Sequence, residues 1–164
     1  MARSGYFGLI QKYFPESEWD RADCIAAIEC VAGPCQSSDK GLVDCGGPGP
    51  VYAKAWGVFG ILDACWSPYY NPSSPFTRDE WDHVLDPEYN VWMASVIWSL
   101  GGWKVWTTCS ECNACDIPGG PVPCPGGPLS CLPPPQEGAG MVAPLLLGLV
   151  FLGGAIVLIE ARKK

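Results

Sequence analysis

Glu29 stands late in an apolar stretch, four residues after Ile25 and flanked by Ile28, Cys30 and Val31. On a helix that faces a cleft, a carboxyl with such neighbours loses hydration, and desolvation favours its protonated form. A general acid for glycosidic cleavage needs that property at neutral pH. A partly exposed glutamate near a helix end is the plainer reading of the same pattern. Asp39, Asp44 and Asp63 are the further carboxylates that could assist, each also readable as a solvated loop residue. Trp56, Trp66, Tyr69 and Tyr70 offer faces for stacking on sugar rings, although core packing is the expected role for at least half of the aromatics. His83, the only histidine, lies among Asp79, Glu80 and Asp82 on an expected surface helix, so no Ser-His-Asp or Cys-His arrangement suggests itself.

The elements that must position these groups follow from local signals. Ser17, with Asp20 as its capping-box partner, predicts a helix over Trp19–Ala32, with an apolar stripe of Trp19, Ala22, Ile25, Ala26 and Ile28 and a stop at Gly33-Pro34. Residues 1–16 read as a short amphipathic lead-in. Residues 34–56 contain Gly46-Gly47-Pro48-Gly49-Pro50 and predict an irregular loop or small hairpin. A turn is expected at Asn71–Pro75. Thr77 with Glu80 forms a capping-box sequence for a second helix. Asp86-Pro87, an N-cap followed by proline at the first helical position, opens a third that runs through Val91, Ala94, Ile97 and Trp98 to Gly101-Gly102. Trp103 and Trp106 follow as a packing cluster.

Composition changes after Thr107. Eight prolines and six glycines lie between Asp116 and Gly140, which predicts a Cys/Pro/Gly-rich linker over 110–140. Met141 to Ile159 is 19 residues without a charge, about 28 Å as a helix and close to the thickness of a bilayer's hydrocarbon. A buried core helix is the alternative, but the proline-rich spacer before it and the basic residues after it favour a single membrane span over 141–160. Arg162, Lys163 and Lys164 in the tail 161–164 place that end on the cytoplasmic face and the rest of the chain outside the cytoplasm. The sides could be relabelled in a virion with an internal membrane.

The formal charge is −7. The last five residues contribute +2, so the remainder carries −9. An acidic domain without a basic stripe argues against nucleic acid as a partner. The ten cysteines favour disulfides and an oxidising compartment. Cys109-x2-Cys112-x2-Cys115 with Cys124 could instead supply four thiolates to zinc, but outside the cytoplasm disulfides are favoured, so no metal or other cofactor is expected. Met1–Phe14 carries no long apolar run and is not read as a secretory signal.

Three blocks, taken together, carry a family likeness. They are Ile25-Ala26-Ala27-Ile28-Glu29-Cys30, then Gly57-Val58-Phe59-Gly60-Ile61, then Asp86-Pro87-Glu88-Tyr89-Asn90 followed by Ala94, Trp98 and Gly102-Trp103-Lys104-Val105-Trp106. In order and spacing they resemble the lysozyme-like superfamily, in the branch shared by goose-type lysozymes, soluble lytic transglycosylases and phage virion lysins. The likeness covers roughly residues 14–109. It implies a mainly α, α+β lysozyme-like domain over 1–109, with Glu29 as the catalytic acid. Asp39 and Asp44 lie at a chain distance similar to that of the auxiliary acids in goose-type enzymes, and Asp63 lies near the second block. Trp56, Gly57, Phe59, Gly60, Tyr69, Tyr70, Tyr89 and Trp98 are the expected substrate contacts. Two positions depart from the family: Cys30 replaces a serine, and Gly60 replaces a glutamine that helps line the cleft.

The expected activity is cleavage of peptidoglycan glycan strands, as a lytic transglycosylase or muramidase, by a membrane-anchored bacteriophage protein carried in the particle or made for cell entry. The expected partners are peptidoglycan, a lipid bilayer and other virion proteins. The alternative is a non-catalytic structural membrane protein of a virion whose lysozyme-like domain grips the wall; a tail-anchored bacterial wall-remodelling protein is more remote.

Parity constrains the cysteines. Cys24, Cys30, Cys35, Cys45 and Cys65 form an early group of five, and Cys109, Cys112, Cys115, Cys124 and Cys131 a late group of five. If all pair within the chain, an odd number of bridges joins the groups. Cys65–Cys109 is the expected crossing, because each follows one of the family blocks.

Overall fold

The computed structural model describes residues 3–30 and 35–121. They form an α+β fold with a three-stranded antiparallel sheet whose strands lie side by side in chain order. Cys124, Cys131, the expected span at Met141–Ile159 and the basic tail lie outside the described residues. Among those described, no helix is long and apolar enough to cross a membrane.

Helix α5 (Pro87–Gly101) is the hub. Its start follows the local signal: the Asp86 carboxylate accepts the N–H groups of Glu88 and Tyr89 at 2.9 and 3.1 Å, and Pro87 occupies the first turn. Gly102, at φ +68°, ends it, and a Cβ there would sit 2.6 Å from the Ile117 carbonyl oxygen. Val91, Met93, Ala94 and Ile97 are all buried, so the helix is covered on most of its circumference, as a central core helix must be. Around it packs an aromatic stack in which Phe14 lies 5.3 Å from Trp103 and 5.7 Å from Phe59, ring centre to ring centre. The short helix α4 (Arg78–Trp81) carries the expected Thr77–Glu80 capping box.

The N-terminal part differs from the sequence reading in three places. The lead-in contains a helix, α1 (Phe7–Tyr13), which buries Ile10 and Tyr13 at helical spacing. Lys12 and the Tyr13 hydroxyl both bond Glu88, tying α1 to the start of α5. Ser17 caps nothing. A 3₁₀ turn at Glu16–Glu18 precedes α2 (Trp19–Glu29) instead, and the Ser17 hydroxyl donates to the Glu18 carboxylate at 3.3 Å. Glu18 is drawn inward because its other oxygen accepts the indole N–H of buried Trp103 at 2.7 Å. Helix α2 also stops earlier than expected, at Glu29, where Cys30 leaves the helical conformation and bridges to Cys35. Residues 31–34, with the expected Gly33-Pro34 stop, lie outside the described residues.

The Gly/Pro-rich stretch connects a hairpin of β1 (Ser38–Val43) and β2 (Val51–Trp56), with Val43 opposite Val51. The register shifts between Asp39 and Gly41, which leaves Lys40 as the extra residue of a bulge. Strand β3 (Ile61–Leu62) pairs with β2 and leads into the one-turn helix α3 (Asp63–Trp66).

Asn90, on α5, joins the helical core to the sheet. Fully buried, it donates to the carbonyl oxygens of Trp56 and Val84 at 2.9 and 2.8 Å and accepts the N–H of Phe59 at 2.9 Å. Gly57, at φ +71°, leaves room for it, since a Cβ there would fall 2.2 Å from the Asn90 amide nitrogen. Asn90→Ala strands three polar groups of the main chain. It should lower the unfolding free energy by about 3 kcal/mol, at roughly 1 kcal/mol or more for each buried group left unpaired, as read by urea denaturation.

The described disulfides are Cys24–Cys112, Cys30–Cys35, Cys45–Cys65 and Cys109–Cys115, and no described cysteine is free. The expected Cys65–Cys109 bridge is therefore incorrect. The hairpin carries Cys45 back to α3, where it meets Cys65, while Cys109 closes a local loop with Cys115. A crossing bridge does exist, and it is Cys24–Cys112. Cys109, Cys112 and Cys115 are consumed by these bonds and do not form a thiolate cluster. Within 110–121, read from sequence as linker, Ala114 is buried in the core, Cys112, Cys115 and Ile117 pack against it, and the Ile117 carbonyl accepts the Trp103 N–H at 3.4 Å.

Candidate active site

Helix α2 delivers Glu29 from its last turn into a concavity of about 240 Å³. Gly60, Ile61 and Leu62 at β3, Trp66 at the end of α3, and Trp106-Thr107 line it. The Glu29 side chain is 9 % exposed. Thr108, on the 3₁₀ turn Thr107–Ser110, donates its hydroxyl to Glu29 Oε1 at 3.0 Å. The bulge on β1 brings Lys40 over the same carboxylate, Nζ lying 3.8 Å from Oε2. One oxygen is thus oriented by a neutral donor, and the other faces an ammonium that is 43 % exposed. Neither neighbour was foreseen in the sequence. Thr108 is separated from Glu29 by 79 residues, and nothing local marks it.

Gly60 borders the cleft at φ +57°, and a Cβ built there would stand 2.6 Å from Glu29 Oε2. The missing side chain is therefore space that the carboxylate uses. Gly60→Ala should cost about 1 kcal/mol of stability through the left-handed backbone. By displacing Oε2, it should also reduce any Glu29-dependent turnover on the order of tenfold or more. Thermal melts and rate assays on the same preparation separate the two effects.

The three aspartates proposed as helpers stand elsewhere. Asp39 is 86 % exposed on its side chain and lies 3.7 Å from Lys54. Asp44 accepts the N–H of Gly46 at 2.8 Å within the hairpin loop. Asp63 is buried, and its Oδ1 accepts the N–H groups of Lys54 and Ala64 at 2.8 and 2.7 Å. Among the described residues, Glu29 is the only carboxylate that lines its cleft.

The expected substrate contacts divide in the same way. Gly60 is at the cleft. Phe59 and Trp98 are core residues, 0 % and 3 % exposed, with no ring face to offer a ligand; their apolar bulk fills the space around α5. Tyr89 is likewise buried, stacked on His83 with centroids 4.8 Å apart. Gly57 serves the packing of Asn90. Trp56, Tyr69 and Tyr70 border a separate trough, in which the Tyr69 hydroxyl donates to Asp82 at 2.9 Å, a bond that raises the phenol's pKa above its ordinary value. Trp66, named from sequence as a stacking face, lies along the Glu29 cleft.

Comparison with known protein families, with curated proteins and with solved structures returns no match to this chain.

Proposed function

We propose that the protein cleaves the glycan strands of peptidoglycan with Glu29 as its single catalytic acid–base, by the transglycosylase route. The observation that carries this reading is the solitary, oriented carboxylate at the end of α2. Inverting and retaining hydrolases both place a second carboxyl group across the scissile bond, to activate water or to attack the sugar. No second described carboxylate borders this cleft. The resemblance of the three sequence blocks to lysozyme-like enzymes supplies the substrate class.

In the proposed reaction, Glu29 gives its proton to the glycosidic oxygen as the bond to the anomeric carbon breaks, and the leaving sugar departs with a new hydroxyl. The Lys40 ammonium compensates the carboxylate charge that this step creates. The 6-hydroxyl of the remaining sugar then bonds to the anomeric carbon, and its proton returns to Glu29. No water is consumed. Thr108 keeps the carboxyl oriented through both transfers. Anchoring by Met141–Ile159 and carriage in a phage particle belong to the same proposal and rest on the sequence alone.

Mass analysis of peptidoglycan digested by the full-length protein tests the route. The expected products end in 1,6-anhydro-muramic acid and take up no labelled solvent oxygen. Reducing ends carrying that label would mark a hydrolase and overturn the single-carboxylate mechanism.

A further inference from the structure

The geometry points to a second carbohydrate-binding site, a trough beside the hairpin built on Asp63, Tyr52 and Tyr70, which takes a neutral, hydroxyl-rich pyranose chain of the N-acetylglucosamine type. The trough consists of two concavities of about 770 and 270 Å³ that share Asp63 and Tyr70. The larger falls within the roughly 300–1,000 Å³ of ordinary ligand pockets. Neither shares a lining residue with the Glu29 cleft. Ala55 lies towards Gly60 and Glu29, whereas its neighbour Lys54 borders the trough.

Asp63 is the anchor. It is 8 % exposed, and both of its hydrogen bonds, from the N–H groups of Lys54 and Ala64, fall on Oδ1. Among the described residues Oδ2 has no partner, and the residue lines both concavities. A carboxylate fixed in this way through one oxygen presents the other as a preoriented acceptor for a hydroxyl group. Tyr52 and Tyr70 are 81 % and 69 % exposed, amphipathic rings at the surface of a groove, as sugar stacking requires. Lys54 at the same wall adds a donor and disfavours a cationic ligand, while the carboxylates disfavour an anionic one. A neutral glycan satisfies both. This extends the glycan reading of Glu29 to a second place on the molecule, but its test does not depend on turnover.

The test is amide NMR of the full-length Glu29→Gln protein, held in a polyoxyethylene detergent whose headgroup carries no sugar and titrated with penta-N-acetylchitopentaose. The amides of Lys54, Ala64 and Tyr70 report the trough, and those of Gly60 and Thr108 the cleft. The expected result is a saturable shift of the trough amides. Tyr70→Ala should raise its Kd about tenfold, and Tyr70→Phe, which keeps the ring, should stay within about twofold. Shifts confined to Gly60 and Thr108, no shifts at all, or trough shifts indifferent to Tyr70→Ala would each overturn the site. So would trough shifts produced by a lysine oligomer and not by the sugar. Trough binding by a protein that cuts no peptidoglycan would instead remove the Glu29 proposal and leave this one standing.

Discussion

Glu29→Gln is expected to fold as the parent does and to turn over peptidoglycan at least about 100-fold more slowly, the scale of a lost general acid. Glutamine keeps the shape of the side chain and can still bond the Thr108 hydroxyl, which lies 3.0 Å from Oε1. It cannot give a proton to a leaving oxygen. Loss of the contact with Lys40 should matter little to stability, because that ammonium is 43 % exposed and remains solvated. Circular dichroism and melting curves then match the parent while the rate collapses. Asp44→Asn is the control, since among the described residues its side chain bonds only the Gly46 N–H of the hairpin turn, and it should leave the rate unchanged. A folded Glu29→Gln protein with near-parental activity would end the assignment, and with it the proposed route.

The chain made some of this legible and hid the rest for identifiable reasons. Where a signal and its consequence lie within one turn, the sequence was sufficient. Asp86-Pro87 opens α5, Gly102 closes it, and Thr77 with Glu80 caps α4. Where a distant group competes, it was not. Ser17 has a capping sequence, but Trp103, 85 residues from Glu18, claims that glutamate and tightens the chain into a 3₁₀ turn. Glu29 could be singled out from its apolar setting and its neighbours in sequence, whereas Lys40 reaches it through a bulge and Thr108 through tertiary packing. The aromatics show the same limit. Nothing in composition separates Phe59 and Trp98, which fill the core, from Tyr69 and Tyr70, which lie at the surface. Parity required a bridge between the two cysteine groups and could not choose its ends, because that choice depends on where the hairpin returns Cys45.

That crossing bridge should have the largest effect on stability. Cys24–Cys112 spans 88 residues and ties α2, which carries Glu29, to the segment just past Thr108. Restriction of the unfolded chain by a loop of this length is worth about 4–5 kcal/mol in the loop-closure account, against roughly 3 for a loop of the size closed by Cys45–Cys65 and roughly 2 for one closed by Cys109–Cys115. The separations of 20 and 6 residues set those lower values. Paired alanine variants should therefore lose stability in the order Cys24/Cys112, then Cys45/Cys65, then Cys109/Cys115, as measured by urea denaturation without reductant. Packing predicts a different order. Cys109 is 5 % exposed, whereas Cys24 and Cys112 are only half-buried, so truncation at the short loop would be the more damaging if lost contacts dominated. Greater loss in the Cys109/Cys115 variant would thus assign the bridges to core packing and refute the unfolded-chain account. With the crossing bridge removed, turnover should also fall at temperatures below the melt, because the Thr108 segment is no longer covalently tied to the helix that presents Glu29.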